Sequence, residues 1–201
     1  MPLWQTGRMT AAPGRAATAR RTELFDHLVA LLLSEGFAHL TVDELASRLH
    51  CSKTTLYSLA GSREQLIRAA VVHFFREATR RVEASTATVT DPRDRLGAYL
   101  RAVAAELQPA SAAFYEHLAA FPPVREVYER NTEIAARRVQ QIIREGVEQG
   151  AFRDVHAAFV ADVVSSAMVR IQRRQVAAAT GLPDAQAYAE LATMVLHGIA
   201  T

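Results

Sequence analysis

The sequence predicts an all-helical fold, with a three-helix head followed by a larger helical bundle and about nine helices in all. Two observations predict it. Apolar residues recur at three- and four-residue spacing along most of the chain, with no strand alternation or hairpin signal in competition. The breaks between these segments also carry helix-end chemistry: Thr41, Ser52, Ser62 and Asp91 ahead of periodic runs, and Gly36 and Gly150 behind them.

The first helix is expected from about Thr18 to Glu35, with Leu24, Leu28, Leu31 and Leu32 on one face and Gly36 as its stop. Thr41 and Glu44 have the spacing of a capping box, so a second helix opens there with Val42, Leu45, Ala46 and Leu49 inward and Asp43, Ser47 and Arg48 outward. His50 and Cys51 make a tight turn. Ser52 caps a third helix whose first turn is Lys53, Thr54 and Thr55 and whose core side is Leu56 and Leu59. Ser62 and Gln65 suggest another capping box, opening a fourth helix that runs toward Ala84 and links the head to the rest.

Beyond it, Asp91-Pro92 reads as a cap with proline in the first turn, and Pro109 and Pro122-Pro123 interrupt the pattern. A long segment runs from Val124 to Gly150, and another from about Asp154 to Ala179. Thr180-Gly181-Leu182-Pro183 then separates off a final helix.

Two short helices joined by a tight polar turn form a helix-turn-helix. Small polar groups project from the N-terminal end of its second helix, the end that enters the DNA major groove in this motif and whose free amides favour phosphate. From Thr41 to Ile67 the chain resembles the TetR family of bacterial transcriptional regulators. The residues that carry the resemblance are Thr41-Val42-Asp43-Glu44-Leu45-Ala46, Ser52-Lys53-Thr54-Thr55-Leu56-Tyr57 and Ser62-Arg63-Glu64-Gln65-Leu66-Ile67. His50, Cys51 and Ala60 stand where the family usually has glycine, an aliphatic residue and phenylalanine. Histidine is among the residues that tolerate positive φ.

The resemblance implies phosphate contacts from Thr41, Ser52, Lys53, Tyr57 and Arg63. The expected DNA-binding set is Thr41, Arg48, Ser52, Lys53, Thr54, Thr55, Tyr57 and Arg63. The expected organisation is a basic arm over residues 1–17, a DNA-binding domain over 18–63, and an effector-binding and dimerisation domain over 64–201. Arg8, Arg15, Arg20 and Arg21 stand with no acid in the first twenty-one residues, so the arm either lies in the DNA minor groove or is a solvated tail.

At 201 residues and 50% hydrophobic, the chain can bury a substantial core. A net charge of +2 is too small to argue for nucleic acid by itself, and Lys53 is the only lysine, a composition bias more than a binding signature. No apolar run reaches the length of a membrane span and no signal-peptide pattern opens the chain. One cysteine makes no internal disulfide, so a cytoplasmic protein is expected.

The segment from Asp154 is apolar nearly all round in its first half, which implies burial on two sides. A homodimer is expected there, through Phe159, Val160, Val163, Val164, Leu191 and Val195. TetR-like proteins pair through their last two long helices, and two-fold symmetry suits a palindromic operator in double-stranded DNA. An effector pocket is expected among Phe74, Tyr99, Phe114, Tyr115, Phe121, Tyr128 and Met168, with plain core as the alternative for each aromatic.

No cofactor or metal is expected: the seven histidines lack ligand spacing, Glu-x-x-His pairs do not occur, and phosphate loops and nucleophile elbows are absent. Arg137-Arg138 and Arg173-Arg174 read as solvated faces, and Cys51 as packing more than a redox sensor. The expected function is a DNA-binding regulator, a repressor released by a small molecule. The alternatives are a regulator without an effector and, from a different class, a helical-bundle enzyme.

Overall fold

The computed structural model describes residues 13–199, which form ten helices and no strand. They are α1 (Pro13–Glu35), α2 (Val42–Arg48), α3 (Lys53–Leu59), α4 (Arg63–Thr86), α5 (Pro92–Leu107), α6 (Ala112–Ala120), α7 (Pro122–Glu148), α8 (Ala157–Gln172), α9 (Gln175–Thr180) and α10 (Asp184–Ile199). Arg8 lies outside the described residues. Helix α1 begins at Pro13, earlier than the apolar pattern predicts, so the last residues assigned to an arm are helical and Arg20 and Arg21 belong to α1.

Helices α1 to α3 make the head around Phe25, Leu28, Leu32, Leu45, Ala46 and Leu56, all buried, with Leu24, Leu31, Val42, Leu49 and Leu59 half-buried beside them. The turn between α2 and α3 depends on His50, whose φ of 49° is the left-handed conformation the sequence requires there. Ala60 ends α3 in an extended conformation and packs half-buried against the core.

Helix α4 carries the core from head to body. Leu66, Ile67, Ala70 and Val71 are buried near the head, and Phe74, Phe75, Ala78 and Val82 are buried further along. Its cap is half a capping box. The Ser62 hydroxyl accepts from the Gln65 amide, but the Gln65 side chain reaches past the cap to accept from the Gly61 amide. His73, buried on α4, stacks on Phe25 and shares a 2.7 Å hydrogen bond with the Asp26 carboxylate, tying α1 to α4.

In the body, α5 packs on α10 and on α4, and α7 packs on α8, α4 and α5. Asp91 caps α5 by accepting from the Arg93 and Asp94 amides, and Pro92 fills the first turn. At the end of α7, a side chain at Gly146 would collide with Phe152, since a β-carbon there would lie 2.2 Å from the ring. The Gly146 carbonyl instead accepts from the Ala151 and Phe152 amides, folding the chain back.

The segment expected as one helix from Asp154 to Ala179 is two. It starts at Ala157 under a cap from the His156 ring, and it breaks at Arg174, whose φ is 58°. The break is not signalled by glycine or proline. It brings the Arg174 guanidinium to 2.6 Å from the Asp184 carboxylate and over the Tyr115 ring at 5.8 Å. Arg174 is therefore no solvated residue, and neither is Arg138, which pairs with Glu83 at 3.3 Å and is 26% exposed. Arg137 and Arg173 are exposed as expected.

The expected dimer residues divide. Val164 is fully buried and Leu191 and Val195 nearly so, all within this chain's own core, because α8 faces α7 and α10 faces α5. These three are corrected to intramolecular packing. Val160 is half-buried, while Phe159 at 66% and Val163 at 47% face outward, joined by Met194 on α10 at 71%.

Candidate DNA-binding surface and internal cavity

The Thr41 hydroxyl accepts from the Glu44 amide at 3.2 Å, and Glu44 accepts from the Thr41 amide at 2.7 Å and from its hydroxyl at 2.8 Å. These bonds hold the Glu44 carboxyl below its ordinary pKa, the amide from Thr41 first and the hydroxyl second. The capping box thus fixes the entry of α2.

The Ser52 hydroxyl accepts from the Thr55 amide at 3.0 Å and lies 2.8 Å from the Thr55 hydroxyl. Thr54 and Tyr57 are exposed on the same helix, Tyr57 at 49%, with no hydrogen-bond partner among the described residues. The Lys53 ammonium pairs with Asp43 of α2, and Arg48 pairs with Glu35 of α1. All four side chains are exposed. Such pairs contribute about 0–1 kcal/mol and exchange readily for another anion.

Arg63 is placed differently from the expectation. Its guanidinium donates to the carbonyls of Phe37, Ala38 and Leu40 and is only 25% exposed. It holds the α1–α2 loop in place of projecting toward a phosphate.

A cleft of about 760 Å³ separates the start of α1 from α3. Thr18, Arg20, Arg21 and His27 line one side, and His50, Cys51, Ser52, Thr55 and Ser58 line the other. Arg20 and Arg21, expected as part of a basic arm, thus flank the exposed polar face of α3 from within α1, and Glu23 lines the same cleft. Burial pushes the Cys51 thiol up, which disfavours the reactive thiolate.

Inside the body, a cavity of about 40 Å³ lies among α4, α5, α7, α8 and α10. That is room for about three ordered waters, an order of magnitude below an open ligand pocket. Of the expected pocket residues, Tyr99, Tyr128 and Met168 line it. Phe114 packs against Phe37 and Phe74, and Phe121 also meets Phe37, so these three are corrected to core between head and body. Tyr115 lies beside the cavity, its ring 6.3 Å from Tyr128 and its hydroxyl donating to the Leu107 carbonyl.

Phe75, Thr79, Asn131, Thr132 and Tyr188 complete the lining. Phe74 and Phe75 are neighbours in sequence, and helical rotation alone decides which ring reaches the cavity. Phe75 stacks on Tyr128 at 5.4 Å and 14°. The Tyr128 and Tyr188 hydroxyls meet at 3.5 Å, and the Tyr99 hydroxyl has no hydrogen-bond partner among the described residues. Burial raises the pKa of all three tyrosines, so each hydroxyl stays neutral. No lining side chain is cationic. The single lining carboxylate, Glu106, is held by a two-pronged bond from Arg81 at 2.6 and 2.8 Å.

Residues 24–70, which hold α2 and α3 with the second half of α1 and the start of α4, match the family model described as bacterial regulatory proteins, tetR family. Over these residues the chain carries the DNA-binding segment of the TetR family. Its head is the DNA-binding helix-turn-helix of these transcriptional regulators. The TetR-like fold extends over the body as well. A transcriptional regulator from Haloarcula marismortui superposes with a TM-score of 0.73 at 18% identity, covering 91% of this chain and 100% of that one. A putative regulator from Saccharomonospora viridis, solved in complex with choline, gives 0.71 at 20% identity, with 92% and 99% covered. A ketosteroid transcriptional regulator of Mycobacterium tuberculosis gives 0.57 at 20%, with 90% and 95% covered. No curated protein matches the sequence. Among the described residues, no helix is long and apolar enough to cross a membrane.

Proposed function

We propose that this regulator is a homodimeric repressor that binds a palindromic duplex through its head and is released by a small molecule held in the body. The observation that carries DNA binding is the capped, outward polar face of α3, where Lys53, Thr54, Thr55 and Tyr57 stand exposed beside Arg20 and Arg21. Ser52 and Thr41 hold the two helix starts, and Arg48 adds charge on α2. Arg63 supports the loop behind this face.

Two copies are needed because a single α3 reaches only a few base pairs, and half-sites about 34–36 Å apart require a two-fold partner. The exposed Phe159 and Val163 of α8, with Met194 of the packed helix α10, are the apolar residues on which a second copy would pack.

Effector release draws support from the cavity and from the regulator of Saccharomonospora viridis, whose similar fold was solved with choline. A ligand entering here must push α4, α5 and α7 apart, because about 40 Å³ is too small for a typical effector. Since α4 runs on into the head, that displacement moves the helix-turn-helix. The lining favours an uncharged or cationic molecule with a hydrogen-bonding group. A carboxylate would lose its hydration with no cation to meet it.

The test selects a duplex from a random library with the purified protein, then titrates it at moderate salt. An enriched inverted repeat bound far more tightly than its scrambled version supports the proposal. Equal affinity for both sinks it.

A further inference from the structure

One imidazole of helix α6 holds the α1–α2 loop of the head, beside the packing of Phe114 on Phe37. The His117 Nδ1 accepts from two consecutive main-chain amides of the α1–α2 loop, Phe37 at 2.9 Å and Ala38 at 3.2 Å. Its ring sits edge-on to Phe37, with centroids 5.4 Å apart. Gly36 makes room. Its φ is +75°, and a β-carbon there would lie 2.3 Å from His117 Nδ1. At the cap of α6, the Ser111 amide donates to the Leu33 carbonyl of α1 at 2.8 Å. Arg63 of α4 takes the carbonyls of the same loop, at Phe37, Ala38 and Leu40. The loop is therefore held by its amides from α6 and by its carbonyls from α4.

We propose that His117 is a positioning residue between head and body, and that its protonation is a built-in release of the contact it makes at this joint. Two N–H groups converge on one lone pair, so Nδ1 must be unprotonated and the ring must carry its proton on Nε2. A proton on Nδ1 removes the acceptor and aims a third hydrogen at the two amides. The surroundings agree. Burial first and the neighbouring His39, 6.3 Å away ring to ring, second lower the His117 pKa from its ordinary value, while Glu116 on its own helix opposes them weakly. On the other elements meeting the loop, Glu35 ends α1 paired with Arg48, and the Arg63 guanidinium faces the loop carbonyls. No carboxylate accepts from the His117 ring among the described residues, so nothing there stabilises the imidazolium.

The sign follows from the lowered pKa. The joint is intact above the ordinary histidine value and is lost as pH falls through the lower folded value. The consequence for DNA binding rests on the reading above, but the joint itself does not, and the experiment separates them.

The test compares wild type with His117→Asn, whose side-chain oxygen keeps an acceptor near the Nδ1 position at every pH, and with His117→Phe, which keeps the ring and loses the acceptor. Amide NMR of the full chain between pH 7.5 and 5 is the first readout. The Phe37 and Ala38 amide signals should move together with the His117 ring titration in wild type, stay level in H117N, and be shifted at all pH values in H117F. A His117 titration that leaves both amides unmoved overturns the proposal. The second readout is affinity for the selected duplex, taken as the ratio of wild type to H117N so that the exposed His39 and His50 cancel. That ratio should fall about five- to tenfold on acidification, within the range of ordinary coupling. A flat ratio alongside a titrating joint shows that the joint does not position the head for DNA and overturns the positioning role. Failure of every form to bind any duplex, with the amides still titrating, counts against the proposed function and not against the joint.

Discussion

Replacing Phe159 by Ala should weaken self-association without weakening the fold. The ring is 66% exposed on α8, one turn before Val163 at 47%, and Met194 on the packed helix α10 is 71% exposed. Complete burial of such a side chain contributes about 1.5–3 kcal/mol, so covering two-thirds of it contributes about 1–2 kcal/mol per protomer. A two-fold interface counts every residue twice, so the dimer loses about 2–4 kcal/mol, a dissociation constant raised roughly 30- to 700-fold. Val164 supplies the control. It is five residues further along α8 and fully buried in its own protomer. Val164→Ala should cost about 1–3 kcal/mol of folding stability through the cavity it leaves, seen as a lowered Tm, while a folded dimer persists. Sedimentation equilibrium across nanomolar to micromolar protein reads the association, and circular dichroism reads the fold. A wild-type chain that is monomeric at micromolar concentration refutes the reasoning, as does a Phe159→Ala dimer with unchanged affinity.

Further outcomes are expected of the DNA surface and the cavity. Lys53→Ala should weaken binding to all duplexes and reduce the slope of log affinity against log salt by about 0.9, one phosphate's worth, whereas Thr54→Ala should alter the preferred sequence; a salt titration and a repeat of the selection distinguish the two. Thr41→Ala removes the cap on α2 and should cost about 0.5–2 kcal/mol in denaturant unfolding. Because Glu44 has a lowered pKa, the stability its cap supplies is present above the ordinary carboxylate value and is lost as pH falls through the lower folded value, so a Glu44→Gln variant should show a flatter acid limb in thermal melts. An effector of the body should weaken operator binding by about 5- to 150-fold, and saturating operator should weaken effector binding by the same factor; identical effector affinity with and without operator excludes release by this route.

The head was legible in the sequence because its signals are local. A cap, its reciprocal glutamate and a run of apolar residues lie within a few positions of one another, so Thr41, Glu44, Ser52 and Leu56 could be assigned roles before any tertiary contact was known. His50 could be read in the same way, since a positive φ is a property of one residue and its turn. The break in the segment after Asp154 was not legible. Arg174 takes a left-handed conformation where no glycine invites it, in an arrangement with Asp184 and the Tyr115 ring, which lie ten residues later and fifty-nine earlier in the chain.

The same distinction separates the remaining sites. Periodicity marks α8 as apolar on several sides, but it cannot say which side meets a helix of the same chain. Only packing against α7 and α10 makes Val164 core and leaves Phe159 outside. Aromatic content likewise announces rings in the body, while their rotation about α4 and α7 sends Phe75 and Tyr128 to the cavity and Phe74 toward Phe114. His117 and Arg63 carry no sequence signal for the loop they hold, because their partners are main-chain groups 80 and 26 residues away at Phe37, and a backbone amide or carbonyl has no side chain to advertise it. The sequence by itself therefore determined most of the helices and the character of the DNA-reading unit, whose causes act over one or two turns. The tertiary structure decided which faces are covered, where the cavity lies and what joins head to body, because those depend on groups brought together across the whole chain.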